Sequence, residues 1–181
     1  MAKSPYDQLN FKAAEEGLIS VVIETPRGSR NKYKYDPQLH LFQLHSVLPA
    51  GSVFPYDFGY VPGTMADDGD PLDVLLLMDS PAFTGCVVEA RLIGVIEAEQ
   101  TEDRKTVRND RIVAIAKDAH DYQDLKTLKD LNHNLLKELE HFFVSYNELK
   151  NKKFKLLAAR GISAAKEMVY QAAKKAGNEV K

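Results

Sequence analysis

Near residue 130 the hydrophobic period of this chain changes from two to about 3.6, and no other feature limits its possible folds as much. Before the change, apolar and β-branched residues come in short runs: residues 18–24 with Ile19, Val21, Val22 and Ile23, residues 39–44, and residues 74–78, opened by Asp73. Two further β-rich segments, 86–99 and 105–116, flank the polar turn 100–104 and read as a hairpin. After the change, Leu131, Leu135, Leu136, Leu139, Phe142, Phe143, Tyr146 and Leu149 recur at three- and four-residue steps, which predicts one amphipathic helix capped near Asp130. Residues 153–158 add a strand, and Ser163 is placed to cap a last helix carrying Ala164, Met168, Ala172 and Ala173 and ending near Gly177. At the start, Ser4-Pro5-Tyr6-Asp7 opens a short peripheral helix that Gly17 stops. Strands early and helices late predict a mainly β, α+β architecture: a β-barrel or strongly curved sheet with helices packed outside it.

A chain of 181 residues, 44% hydrophobic and 28% charged, is expected to form one domain over 1–181 with a core that needs no covalent staple. Lys and Arg number 24 against 26 Asp and Glu, so no overall basic field draws it to nucleic acid or to an anionic membrane. The single cysteine, Cys86, excludes an intrachain disulfide and a cysteine zinc cage. With no apolar leader and no run near the 18 or so apolar residues that a membrane span requires, the expected location is the cytoplasm.

Between residues 49 and 71, Pro49, Gly51, Pro55, Gly59, Pro62, Gly63, Gly69 and Pro71 leave room for neither a helix nor a long strand. This irregular backbone leads into Asp67-Asp68-Gly69-Asp70-Pro71-Leu72-Asp73, four carboxylates in seven residues at the mouth of an apolar strand. Like charges that close raise one another's pKa and strain the fold unless a cation neutralises them. Asp68 and Asp70 point the same way in extended backbone, and a kink at Pro71 turns Asp73 toward them. Donors that are all oxygen suit Mg²⁺ or Mn²⁺ rather than zinc. An EF-hand does not fit, because Thr64 and Ala66 stand where its loop needs ligands. The complementary cations lie in Arg27-Gly28-Ser29-Arg30-Asn31-Lys32-Tyr33-Lys34, read as a basic loop, and the pairing suits an anionic phosphate held between bases and metal-loaded acids. His40, His45, His120, His133 and His141 have no ligand spacing, and neither a Walker loop nor a dinucleotide fingerprint is present.

Asp68-Gly69-Asp70-Pro71-Leu72-Asp73 resembles the signature of the soluble family I inorganic pyrophosphatases. Support comes from Val22-Ile23-Glu24-Thr25-Pro26, Lys32-Tyr33, Phe54-Pro55-Tyr56-Asp57-Phe58-Gly59-Tyr60 and His141-Phe142-Phe143 leading to Tyr146. The resemblance implies an OB-like five-stranded β-barrel with flanking α-helices, Mg²⁺-dependent hydrolysis of inorganic pyrophosphate to two phosphates with Mn²⁺ as a substitute ion, and a homo-oligomer, a hexamer before a dimer. It implies Asp68, Asp73 and Asp110 as metal ligands, Glu24 as an outer metal or water ligand, Asp70 as the base for the attacking water, and Lys32, Arg111 and Tyr146 as the phosphate grip. The chain departs from the family pattern at Lys34, Ser46, Phe54, Phe58, Gln100 and Asn147, where a glutamate, an arginine, two tyrosines, an aspartate and a lysine are usual, with Glu99 or Asp103 as stand-ins for Gln100. Hydrolysis of another phosphoanhydride or phosphoester, and an OB-like binding module without turnover, therefore stay open as alternatives.

Overall fold

The computed structural model describes residues 5–8, 17–148 and 150–178. The β-branched run near the start forms β1 (Leu18–Thr25), and the punctuated segment contains one short strand, β4 (Asp57–Val61), after the hairpin of β2 (Asn31–Asp36) and β3 (Leu41–Val47). The chain continues through β5 (Leu72–Leu77), β6 (Val87–Glu102), β7 (Lys105–Arg108) and β8 (Arg111–Ala116), then α1 (His133–Glu148), β9 (Lys153–Arg160) and α2 (Ile162–Lys175). Among the described residues no helix is long and apolar enough to cross a membrane.

Strands β1, β4, β5 and β8 are buried along almost their whole length, which explains why they read as apolar runs and not as alternations. Both faces are covered because the sheet closes on itself. β1 pairs with β4, β4 with β5, β5 runs parallel to β8, β8 pairs with β6, and β6 returns to β1. This ring of five strands, with the helices outside, is the OB-like arrangement expected. Ring closure leaves those strands without free edges.

β6 does most of the joining: it meets β1 over its first residues, β8 in its middle and β9 and β7 toward its end. Such a strand must bend, and its register shifts beside Gly94, where φ is +157°. A Cβ there would meet the Leu128 side chain at 2.6 Å and the Arg160 carbonyl. Gly59 does the same for β4, since a Cβ on it would strike the Val22 backbone of β1. α1 buries Leu139, Phe143 and Asn147, spaced four apart, and packs against β9, with the Phe143 and Phe154 ring centroids 5.5 Å apart. α2 lays Ala165, Val169, Ala172 and Ala173 against β6 and β9.

Four local readings change. The basic segment is no loop over its second half: Asn31–Asp36 is a strand paired with β3 in a separate two-stranded sheet. Its alternation of Lys and Tyr has no apolar run because the hairpin stands half in solvent. Residues 105–116 form two strands, broken at Asn109 and Asp110. Asp130 accepts from the Lys126 and Thr127 N–H groups and so caps a 3₁₀ turn, Leu128–Asp130, while the Asn132 side chain accepts from Asn134 N at the start of α1. Gly161, not Ser163, occupies the N-cap of α2. The first segment forms a 3₁₀ turn at Pro5–Gln8, and the other residues of that expected helix before Gly17, together with Leu149, lie outside the described residues.

Candidate active site

One cavity of about 800 Å³ opens at the end of the ring between the β2–β3 hairpin, the loop before β5, the break between β7 and β8, and the C-terminal end of α1. Glu24, Lys32, Asp68, Asp70, Asp73, Arg111 and Tyr146 all line it. Seven of the eight site residues expected from the sequence therefore meet in one place although they come from five separate segments.

The acidic wall is held by the punctuated loop. Thr64 Oγ1 donates to Val61 O (2.6 Å) and accepts from Leu72 N (2.9 Å), which ties the loop's two ends together. Gly69 takes φ +90°, and Asp68 Oδ1 accepts from Asp70 N at 3.1 Å, so that Asp68 and Asp70 sit on one side of a tight turn. Asp67 leaves this group and pairs with Lys175 of α2 at 3.0 Å. Glu24 reaches the wall from β1; it is buried, and its Oε1 accepts from Tyr35 N at 2.8 Å. Burial pushes the Glu24 carboxyl from its ordinary 4.5 up to about 7, with Asp73 adding to the rise and the Tyr35 bond and Lys32 opposing it. Burial likewise raises Asp68, with Asp70 and Asp73 contributing.

Two cations already answer these carboxylates. Lys34 Nζ stands 2.7 Å from Asp70 Oδ2, and Arg111 NH1 stands 2.9 Å from Asp73 Oδ2. Arg111 is buried, stacked over Phe58, Phe143 and Phe154 at 5.8, 5.3 and 5.9 Å from their centroids. The all-oxygen donor set of Glu24, Asp68, Asp70 and Asp73 fits a hard divalent ion in kind. Among the described residues no three of these side chains yet stand as a ligand cluster, since Lys34 and Arg111 hold two of them.

Asp110 is the expected residue that does not join the cavity. Its Oδ1 accepts from Ala98 N (2.8 Å) and from Arg108 NH2 (2.9 Å), on the opposite side of the strand. The reason is the period of extended backbone: Asn109 and Arg111 face the cavity, so Asp110 between them faces away, with Arg108 two residues earlier. A displacement of one residue puts an amide where a carboxylate was expected. Asn109 Nδ2 donates to Gln100 Oε1 at 2.7 Å, and Arg111 NH1 donates to Asn109 Oδ1, so this corner of the cavity is neutral and spoken for. Glu99 and Asp103 do not line the cavity.

Of the four cations in the basic segment, two serve the site. Arg27 donates to the carbonyls of Met78 and Asp79, and Arg30 to that of Leu48, so both arginines staple loops. Lys32 and Lys34, two apart on β2, face the cavity. Phe54 and Phe58, each 2% exposed, do not line the cavity but pack beneath residues that do: the Phe58 ring centroid lies 5.3 Å from Lys32 Nζ, and Phe54 packs on Phe142 and Tyr146. Asn147 is buried, and its amide donates back to Phe143 O at 2.7 Å. The sequence reading missed Lys150, His45 and Asn109; the signal for Lys150 was its helical spacing of four from Tyr146.

The family model described as inorganic pyrophosphatase matches residues 21–177, most of the chain. The chain belongs to that family. A Synechocystis protein named inorganic pyrophosphatase is 41% identical over 159 residues, covering 87% of this chain and 91% of its own length. The solved structure of the inorganic pyrophosphatase from Neisseria gonorrhoeae has a TM-score of 0.86 at 34% identity and covers 96% of this chain and 99% of its own. That from Thermus thermophilus has a TM-score of 0.82 at 33% identity over 90% of this chain and 92% of its own. Membership in the pyrophosphatase family implies a divalent metal cofactor in general, in keeping with the hard donors of the acidic wall.

Proposed function

We propose that the protein hydrolyses inorganic pyrophosphate to two phosphates, with Mg²⁺ as the divalent ion and Mn²⁺ as a substitute. The observation that carries this reading is a single cavity with an acidic wall facing a cationic one, in a chain of the pyrophosphatase family. Asp68, Asp73 and Glu24 would hold the metal, which when bound neutralises phosphate charge and makes water easier to deprotonate. Asp70 Oδ2 is engaged by Lys34, leaving Oδ1 as the oxygen that takes the proton of the attacking water. Lys32, Arg111 and Tyr146 receive the charge that develops on the departing phosphate. Tyr146 is suited to this: burial pushes its hydroxyl up, yet Lys32 and Lys150 beside it bring it below its ordinary 10.0, so it donates strongly. Arg111, packed between three aromatic rings, cannot swing away and so keeps its fork oriented.

The proposed setting is the cytoplasm, as a homo-oligomer with six copies favoured over two. The exposed apolar Leu41, Leu44 and Val47 of β3, together with Phe83, support assembly of copies. The test is phosphate release from pyrophosphate with Mg²⁺ or Mn²⁺ beside a panel of other phosphoanhydrides and phosphoesters. No release above background with any of the ions would end the proposal, and preference for another compound would redirect it.

A further inference from the structure

Beyond the residues assigned above, the cationic wall contains a lysine that neither the sequence motifs nor the roles just given account for. Lys150 lies in the turn after α1, where its N–H donates to Asn147 O at 2.9 Å, and its side chain returns into the cavity. Its Nζ donates to Tyr146 Oη at 2.7 Å and to Ser46 Oγ on β3 at 3.3 Å, and it stands 4.5 Å from the Tyr146 ring centroid. Lys32 Nζ stands 5.4 Å from the same centroid, so one aromatic ring supports two ammonium groups. No carboxylate pairs directly with either: among the described residues no salt bridge engages Lys32 or Lys150, whereas Lys34 is held by Asp70 and Lys152 by Glu102, and Glu24 acts on Lys32 only through space. The positive field is felt by His45, which burial and then Lys32, Lys150, Lys34 and Lys152 hold below the usual imidazole range. Two partly buried ammoniums sharing a ring, with hydroxyls and no carboxylate bonded to either, repel one another until an anion sits between them.

We infer that Lys150 is a substrate-binding residue: with Lys32 and Tyr146 it forms a seat for one tetrahedral phosphate group at the pole of the cavity opposite the acidic wall. The neutral Ser46 and Asn147 leave this pole dependent on Lys150 for its second charge, and Ser46 serves to aim that charge. The inference rests on the proposed phosphate chemistry of the cavity and adds to it the residue that sets affinity for the phosphate group distant from the attacking water.

The experiment compares wild type with Lys150→Met and Lys150→Arg, measuring pyrophosphate KM and kcat, and binding of inorganic phosphate and of imidodiphosphate by calorimetry. Loss of one charge-assisted hydrogen bond should raise KM about 10- to 100-fold in Lys150→Met, with a matching loss of imidodiphosphate affinity, while kcat falls less. Lys150→Arg should recover most of both. A lysine that merely packs on Tyr146 would lower the melting temperature and leave KM and both affinities within about twofold, which would overturn the inference; Lys150→Gln repeats the test should the methionine variant fold poorly. If wild type shows no pyrophosphatase activity, the functional proposal fails on its own, and the phosphate calorimetry still decides whether Lys150 seats an anion.

Discussion

Glu24→Gln in the metal-free protein should raise stability at alkaline pH, an outcome opposite to that expected of most changes at a buried polar residue. Glu24 is 6% exposed, and its carboxyl pKa moves from 4.5 to about 7 on folding, chiefly through burial. A carboxyl whose pKa is raised in the folded state opposes folding once it ionises. Below pH 4.5 both states hold the proton and the effect is absent; between 4.5 and 7 the unfolded chain ionises first; above 7 the penalty is complete. At about 1.4 kcal/mol per pKa unit, that gap amounts to about 3 kcal/mol. The glutamine carbonyl can still accept from Tyr35 N, so the native bond survives. For a chain of this size about 3 kcal/mol corresponds to a rise of roughly 6–12 °C in Tm. Thermal unfolding in a chelator, followed by circular dichroism from about pH 5 to about pH 8, reads this directly: wild type should lose stability relative to the variant as pH climbs. Saturating Mg²⁺ should narrow the gap by stabilising wild type more. Equal stabilities at high pH, or a difference that does not depend on pH, would refute the burial argument and with it the picture of Glu24 as a strained carboxylate awaiting a cation.

Asp70→Asn keeps the shape of the loop and removes the proposed proton acceptor, so kcat for pyrophosphate should fall by about 10²- to 10⁴-fold while the Tm stays nearly constant. Asp110→Asn should do the reverse, lowering Tm through loss of its charged bond to Arg108 and weakening of that to Ala98 N, and leaving the Mg²⁺ titration of activity unchanged. Asn109→Asp adds a carboxylate to the neutral corner, and calorimetric titration with Mn²⁺ should show tighter or additional binding than in wild type. Gly59→Ala forces a Cβ into the Val22 backbone across β1 and β4, and urea unfolding should show a loss of several kcal/mol, on the order of 3 or more, or no soluble protein.

Local and periodic features of the chain were enough to foresee most of its elements. The apolar runs of β1 and β5 and the four-residue spacing of Leu139 and Phe143 state their own burial, because a strand or a helix face repeats every few residues and leaves its mark in order. The acidic loop was legible for a similar reason: like charges crowded beside an apolar strand require an answering cation wherever the chain goes. The β2 strand was not legible, since its partner β3 and half-solvated faces suppress the apolar signal. Nor was the parity of residues 109–111, because one residue more or less in the β7–β8 break exchanges the sides of Asn109 and Asp110, and only the pairing of β8 with β5 and β6 settles it.

The sequence alone determined which chemical groups the protein brings to phosphate chemistry and in which short segments they reside. Tertiary structure alone decided which of them share the cavity: it took in Asn109, Lys150 and Lys34, and it turned Asp110, Arg27 and Arg30 outward. Chemistry is written residue by residue, but a meeting of Ser46 with Lys150, 104 positions apart, exists only after the ring of strands has closed and the end of α1 has come to rest against the β2–β3 hairpin.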